Sequence, residues 1–161
     1  LTNGSKLLAC MLMIVGGSPA GTAGGIKTTT VAVLLLTAIS VLRGNKDTEC
    51  YGRKITFEII RVGITITLVT FVFWLFGVTV MTVIEPQQKV LDLMFEATSA
   101  MATVGLTADL TPVLSDISHV VLMLMMYIGR IGPMTMALIF SGHVDKKNQF
   151  RTLPEAKIMV G

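Results

Sequence analysis

Charge is what this sequence has least of. Only 14% of its 161 residues are Asp, Glu, Lys or Arg, against 52% that are hydrophobic, whereas a soluble domain carries about 25% charged residues. The deficit points to a membrane protein before any segment is considered. Cysteine is scarce as well. Cys10 and Cys50 are far apart in unlike surroundings, which excludes a disulfide framework and predicts two free thiols. The formal charge is only +3, and the basic residues lie too near apolar runs to suggest a nucleic-acid partner. There is no initiator methionine and no ordered n-region, h-region and cleavage site, so the expectation is the C-terminal part of something longer. The eleven methionines suit gaps between packed helices.

A nucleotide-binding loop is missing too. The stretch GGSPAGTAGGIKTTT, Gly16–Thr30, has the glycines for one. A phosphate-cradling loop, however, needs its lysine directly after the last glycine, and here Ile26 separates Gly25 from Lys27. Such a loop also follows a buried strand in an α/β domain. This one lies between LLACMLMIV and TTTVAVLLLTAISVL, which are apolar runs.

Long apolar runs are what the chain does have. Ile64–Ile84 is 21 residues without a charge, about 31 Å as a helix and enough to cross a hydrocarbon core. Its β-branched residues would suit a strand in water, but its length argues for a helix. Trp74 falls mid-span and is expected to pack against helices or lipid. A second span, 117–141, has Arg130 near its middle. A guanidinium at that depth costs several kcal/mol, so it should face a protein interior or a water-filled path. The clear spans contain no carboxylate, so backbone, water or another part of the protein would have to face it. Leu7–Leu42 is 36 residues with one charge, Lys27. As one straight helix it would be about 54 Å long, too long for one span. The pattern predicts a broken helix: Leu7–Val15, a non-helical piece, then about Ile26–Leu42. Irregular backbone at membrane depth is tolerated only where it is buried in protein or lines a cavity.

Basic residues predict the topology. Segments 43–61 and 143–161 hold nine of the thirteen Lys and Arg residues, while 85–118 has one lysine and five acids. By the positive-inside rule both basic segments are expected on the cytoplasmic side. Two crossings, 64–84 and 117–141, have the right parity to connect them. The uncharged run Ala97–Ala108 is too short to cross, so 91–108 is expected to enter and leave on the outer side. The result is an order of helix, re-entrant pore loop, helix.

The re-entrant segment ends in Thr103-Val104-Gly105-Leu106. Potassium channels use T-V-G-Y-G, whose backbone carbonyls replace the ion's water shell, and glycine permits the dihedrals that turn successive carbonyls toward one axis. These four residues are the candidate filter, with K+ at the carbonyls of Thr103, Val104 and Gly105; the plain alternative is a buried turn between short helices. Asp92 and Glu96, one turn apart, are expected to cap the pore helix and draw cations. The small residues Gly16, Gly17, Ser18, Gly21, Thr22, Gly24 and Gly25 are candidate gate residues, with Arg130 facing them. The alternative is a kink packed through small residues. An internal repeat supports the layout: MLMIVG, Met11–Gly16, parallels LMMYIG, Leu124–Gly129, and a proline follows each, Pro19 and Pro133.

The pieces GGSPAGTAGGIKTTT, FEATSAMATVGLT, YIGRIGPMT and PEAKIMVG, with their spacing, resemble the Ktr/Trk/HKT superfamily of potassium transporters, most closely the bacterial Ktr-type membrane subunit. The resemblance implies an all-α membrane fold of four helix–pore–helix repeats. This chain would run from the inner helix of the third repeat through the fourth. It also implies that Gly105 is the fourth filter glycine, Gly16–Gly25 the intramembrane gate loop and Arg130 the arginine facing that loop. The implied partners are the remaining repeats, a second copy in a homodimer, the lipid bilayer and a cytoplasmic ring of regulatory subunits. ATP/ADP or NAD(H) would bind that ring, and no cofactor is expected in this chain.

The expected organisation is therefore 1–42 as a broken inner helix with loop 16–25, 43–61 as a cytoplasmic basic linker, 62–142 as a complete repeat and 143–161 as a cytoplasmic tail. Within the repeat, 62–84 is the outer helix, 90–107 the pore helix and filter, and 117–141 the inner helix. The expected function is K+ transport across the cell membrane, with or without Na+ dependence, and not an enzyme reaction. The rivals are a Na+-preferring member of the same family, a broken-helix solute carrier and a non-conducting assembly protein that kept the fold.

Overall fold

The computed structural model of the chain describes residues 2–18, 23–44, 47–50 and 53–131. Helix α1, Asn3–Ile14, starts at Thr2, whose side chain accepts from the Ser5 N–H. Helix α2, Thr28–Leu42, follows on the far side of the small residues. Ala, Val, Leu and Thr make α2 apolar almost all round, and it ends where Gly44 takes a left-handed turn (φ 73°). A two-stranded antiparallel ribbon follows, β1 Glu49–Cys50 and β2 Arg53–Lys54. Ser40 Oγ ties the end of α2 to this ribbon by donating to the Asp47 carbonyl at 2.7 Å.

Helix α3, Phe57–Ile84, is the only helix among the described residues long and apolar enough to cross a membrane. It begins five residues before the expected position 62. Glu58 in its first turn suits a helix start, so the helix runs on through Arg61, which composition alone had assigned to the linker. The threonine hydroxyls of α3 do not compete with its ladder. Thr65, Thr67, Thr70, Thr79 and Thr82 each donate to the carbonyl four residues back, at 2.8–2.9 Å, which leaves no polar atom of theirs unpaired in an apolar setting.

Helix α4, Val90–Met101, is short and sits at the centre. One buried cluster joins it to α3 and to helix α5, Asp116–Ile131, through Val78, Met81, Leu93, Ala97, Leu122 and Met125. A second, with Cys10, Met13 and Phe95, joins it to α1. Small residues set the helix spacing. A Cβ on Gly77 of α3 would lie 2.4 Å from the Met125 sulfur of α5, so the Met125 side chain fills the space that this glycine leaves open. Residues 132–141 of the expected span 117–141, and all of the expected tail 143–161, lie outside the described residues.

Candidate functional site

The site is built from the C-terminal end of α4. The Val104 N–H donates to the Ser99 carbonyl at 3.0 Å and the Thr103 N–H to the Ala100 carbonyl at 3.1 Å. This is the paired bonding of a Schellman motif, whose left-handed residue is usually glycine. Here it is Thr103, with φ 53°. A β-branched residue in that region is an outlier that costs about 1–3 kcal/mol, and such strain persists where the surroundings fix it. Two residues on, Gly105 is also left-handed, with φ 82°. Nothing lies within 4 Å of a Cβ placed on Gly105. Glycine is required there by conformation, not by crowding within this chain. Val104, Gly105 and Leu106 are all exposed.

The small-residue stretch approaches this same point. The Gly16 N–H donates to the Ile26 carbonyl at 2.7 Å, Ile26 N–H to the Ile14 carbonyl at 3.2 Å, and Thr28 N–H to the Gly17 carbonyl at 3.2 Å. The chain thus closes the base of a loop between α1 and α2. A Cβ on Gly16 would fall 2.1 Å from the Gly24 carbonyl oxygen. On the return limb, the Gly24 N–H donates to Thr103 Oγ1 at 2.8 Å. A Cβ on Gly24 would lie 2.9 Å from that hydroxyl and 3.0 Å from the Gly129 carbonyl oxygen. Ser18 is exposed, while Gly24 and Gly25 are buried. Gly21 and Thr22, two of the candidate gate residues, lie outside the described residues.

Thr103 lines two hollows. One, of about 480 Å³, is lined by Ser99, Thr103, Gly105, Met126, Tyr127 and Arg130. The other, of about 400 Å³, includes Val15, Gly16, Gly17, Ala23, Thr103 and Val104 in its lining. Arg130 thus lines the hollow of Thr103 and Gly105, and the small-residue loop lines the other.

The two acids expected to cap α4 and draw cations have other partners. Lys89 occupies the N-cap, with no side-chain cap bond. Asp92 is paired with Lys6 of α1 at 2.5 Å. Glu96 is buried, and its carboxyl oxygens accept from Thr107, Ala108 and Thr111. Both carboxyls are thereby occupied within the chain, because α1 and the loop after Leu106 pack against α4, which a linear reading does not show. Among the described residues no group of three His, Cys, Asp or Glu side chains could hold a metal ion.

Three residues that were not among the candidate site residues shape the site. Gly129 touches α4 so closely that an added Cβ would lie 1.9 Å from the Met101 carbonyl oxygen; its correspondence with Gly16 in the internal repeat was the available signal. Trp74 Nε1 donates to Thr98 Oγ1 at 2.9 Å, fixing α3 to α4 beneath Thr103. Glu85 Oε1 accepts from the Ser115 N–H at 2.8 Å and from Ser118 Oγ at 2.9 Å, so it tethers the start of α5. The Ser115 N–H first, then the Ser115 and Ser118 hydroxyls, hold the Glu85 carboxyl below its usual range.

A long apolar helix, two shorter apolar helices joined through glycines and a short buried helix with a strained, exposed end are consistent with a helical membrane protein. The sequence specifies the family. The model of the TrkH family, described as a cation transport protein, matches residues 1–151, and the chain belongs to that family. It is 34% identical over its full length to the Ktr system potassium uptake protein B of Bacillus subtilis (strain 168), covering 35% of that protein. It is also 34% identical over its full length to the potassium/sodium uptake protein NtpJ of Enterococcus hirae, covering 36% of it. A Ktr system potassium uptake protein B of Vibrio alginolyticus is 32% identical over 140 residues, 87% of this chain and 30% of that protein. The chain therefore spans about a third of the length of these relatives.

Proposed function

We propose that the chain is the C-terminal part of a potassium-translocating membrane subunit. In this reading α3, α4 and α5 form one helix–pore–helix repeat, α1 and α2 are the broken inner helix of the preceding one, and residues 103–106 are its filter strand. The observation that carries the reading is the pair of left-handed residues, Thr103 and Gly105, on either side of Val104. Dihedrals that change hand from residue to residue turn successive carbonyls the same way, which is what a backbone-carbonyl filter requires. The relatives' names, potassium uptake and potassium/sodium uptake proteins, support the cargo.

The Gly16–Gly25 loop, bonded to Thr103 through Gly24, is the gate in this reading, and Arg130 sets a positive charge beside the ion path. K+ is the transported species, no covalent step is involved, and the protein is not an enzyme. The basic segments and the ribbon β1–β2 face the cytoplasm, where a nucleotide-binding regulatory ring docks on a homodimer; ATP/ADP or NAD(H) binds the ring. A Na+-preferring transporter is the second reading, favoured by the potassium/sodium description of NtpJ. The test is ion flux through the full-length protein in vesicles, with K+ and Na+ compared, for wild type and Gly105→Ser. The expected result is K+ preference in the wild type and its loss in the variant. Equal discrimination by both proteins would remove Gly105 from the filter.

A further inference from the structure

We propose that Glu96 is a positioning residue that pins the outer end of the 103–106 strand and so sets K+ over Na+ discrimination. This rests on the reading of those residues as a filter. Glu96 lies seven residues before Thr103 on α4, about 10 Å along the helix axis. Beyond Thr103 the chain returns to Glu96 within four residues, which can span at most about 13–14 Å. At its inner end the strand is fixed by the two backbone bonds of the α4 terminus and by Gly24. At its outer end Glu96 Oε1 accepts from Thr107 Oγ1 at 2.5 Å and from the Ala108 N–H at 2.9 Å, and Oε2 accepts from Thr111 Oγ1 at 2.8 Å. A strand of that reach, held at both ends, has little slack. Its carbonyls keep their spacing only while both pins hold.

The site is built and not incidental. The Glu96 side chain is 5% exposed, so its acceptors would be stranded without these donors. The residues it holds begin directly after Leu106. Hydrogen accounting separates the variants. Thr111 has one hydroxyl hydrogen and two acceptors in reach, Glu96 Oε2 and Thr107 Oγ1 at 2.9 Å. A glutamine at 96 keeps a partner for Thr107, Ala108 and Thr111, with one amide hydrogen left over. Its amide donates to Thr111, Thr111 donates to Thr107, and Thr107 and Ala108 keep their shared oxygen. An alanine leaves all three donors without that partner.

The experiment measures K+/Na+ competition flux in vesicles, with the full-length protein, normalised to inserted protein. Glu96→Ala is expected to lower the K+/Na+ ratio about tenfold, the scale of one net lost hydrogen bond. Glu96→Gln is expected to restore it to within about twofold of wild type. The pair Thr107→Val with Thr111→Val should lower the ratio in the same direction. Those positions are exposed or half-buried, so the pair also serves if Glu96→Ala fails to insert. Gly105→Ser is run beside them. If Gly105→Ser loses discrimination while the Glu96 and threonine variants keep it, the pinning role falls and the filter reading stands. If none of them changes the ratio, the filter reading falls and takes the pinning role with it. A glutamine that fails to rescue also overturns the proposal.

Discussion

The Gly24 N–H donates to Thr103 Oγ1 at 2.8 Å, a bond between residues 79 positions apart. It joins the loop between α1 and α2 to the strained end of α4. Glycine would take the left-handed position at 103 without cost, yet a threonine holds it and its hydroxyl is the acceptor. The hydroxyl thus has a use that offsets the strain. In the proposed mechanism the loop cannot move away from the ion path without releasing this bond.

Thr103→Val keeps the shape and removes the acceptor, whereas Thr103→Ser keeps the acceptor. Losing one such bond shifts an equilibrium by about 0.5–1.5 kcal/mol, or about 2–10-fold. Thr103→Val is expected to raise resting K+ uptake per inserted protein by that factor, and Thr103→Ser to stay near wild type. Equal resting uptake in both variants would separate the bond from gating.

Gly129→Ala tests the contact of α5 with α4. The added methyl would lie 1.9 Å from the Met101 carbonyl oxygen, which belongs to rigid helix backbone and cannot rotate aside. Overpacking of this kind costs about 1–3 kcal/mol. The expected outcome is a lower melting temperature in detergent and less inserted protein. A wild-type melting curve would show that α5 can shift freely at this point.

Sidedness follows from the basic residues. A cysteine at Lys54 should react with an impermeant thiol reagent only from the cytoplasmic face. A cysteine at Asp109 should react only from the outer face. The background is a protein whose own Cys50 and Cys10 have been replaced by serine. Labelling of both positions from one face would rule out the re-entrant path for α4 and residues 102–108.

Glu85 gives a pH dependence. Its carboxyl is held below the usual range, chiefly by the Ser115 N–H. The ionised form is therefore the one the folded protein favours. Its stabilisation is fully present above the unfolded value of about 4.3 and is lost as pH falls through the lower folded value. Wild-type protein in detergent should lose melting temperature more steeply below about pH 4.5 than Glu85→Gln. Parallel profiles down to pH 3 would show that the tether contributes nothing.

Local signals in the sequence were strong where chemistry is local. The apolar length of α3 and the ten small or helix-breaking residues between Val15 and Ile26 were legible, because a helix and its interruption are written in consecutive residues. The position of Thr103–Leu106 after a short apolar stretch was legible for the same reason. The partners of Asp92 and Glu96 were not. Each depends on which segment folds back against α4, Lys6 from α1 in one case and Thr107–Thr111 in the other. The ribbon β1–β2 was hidden because two-residue strands have no measurable alternation. Gly77 and Gly129 were hidden because a lone glycine inside an apolar helix does not reveal the neighbour that requires it.

The loop itself supplies the remaining test. If it is a gate, displacing it should raise flux; if it is a packing kink, displacing it should only damage the protein. Gly24→Ala is the smallest such change. Its methyl would lie 2.9 Å from Thr103 Oγ1 and 3.0 Å from the Gly129 carbonyl oxygen, a tight fit relieved by a small shift of the loop away from Thr103 and α5. Arg130→Ala acts from the other hollow. It removes a positive charge beside the proposed ion path, where a low-dielectric setting makes Coulomb terms far larger than in water. Deleting residues between Ala20 and Gly24 should act in the same direction as both. All three variants are expected to increase K+ uptake velocity per inserted protein and to blunt control by the proposed cytoplasmic partner. The quantity to measure is transport rate divided by the amount of protein in the membrane. A kink gives less inserted protein and no gain in rate per molecule, and a fall in that ratio for all three variants would end the gate proposal.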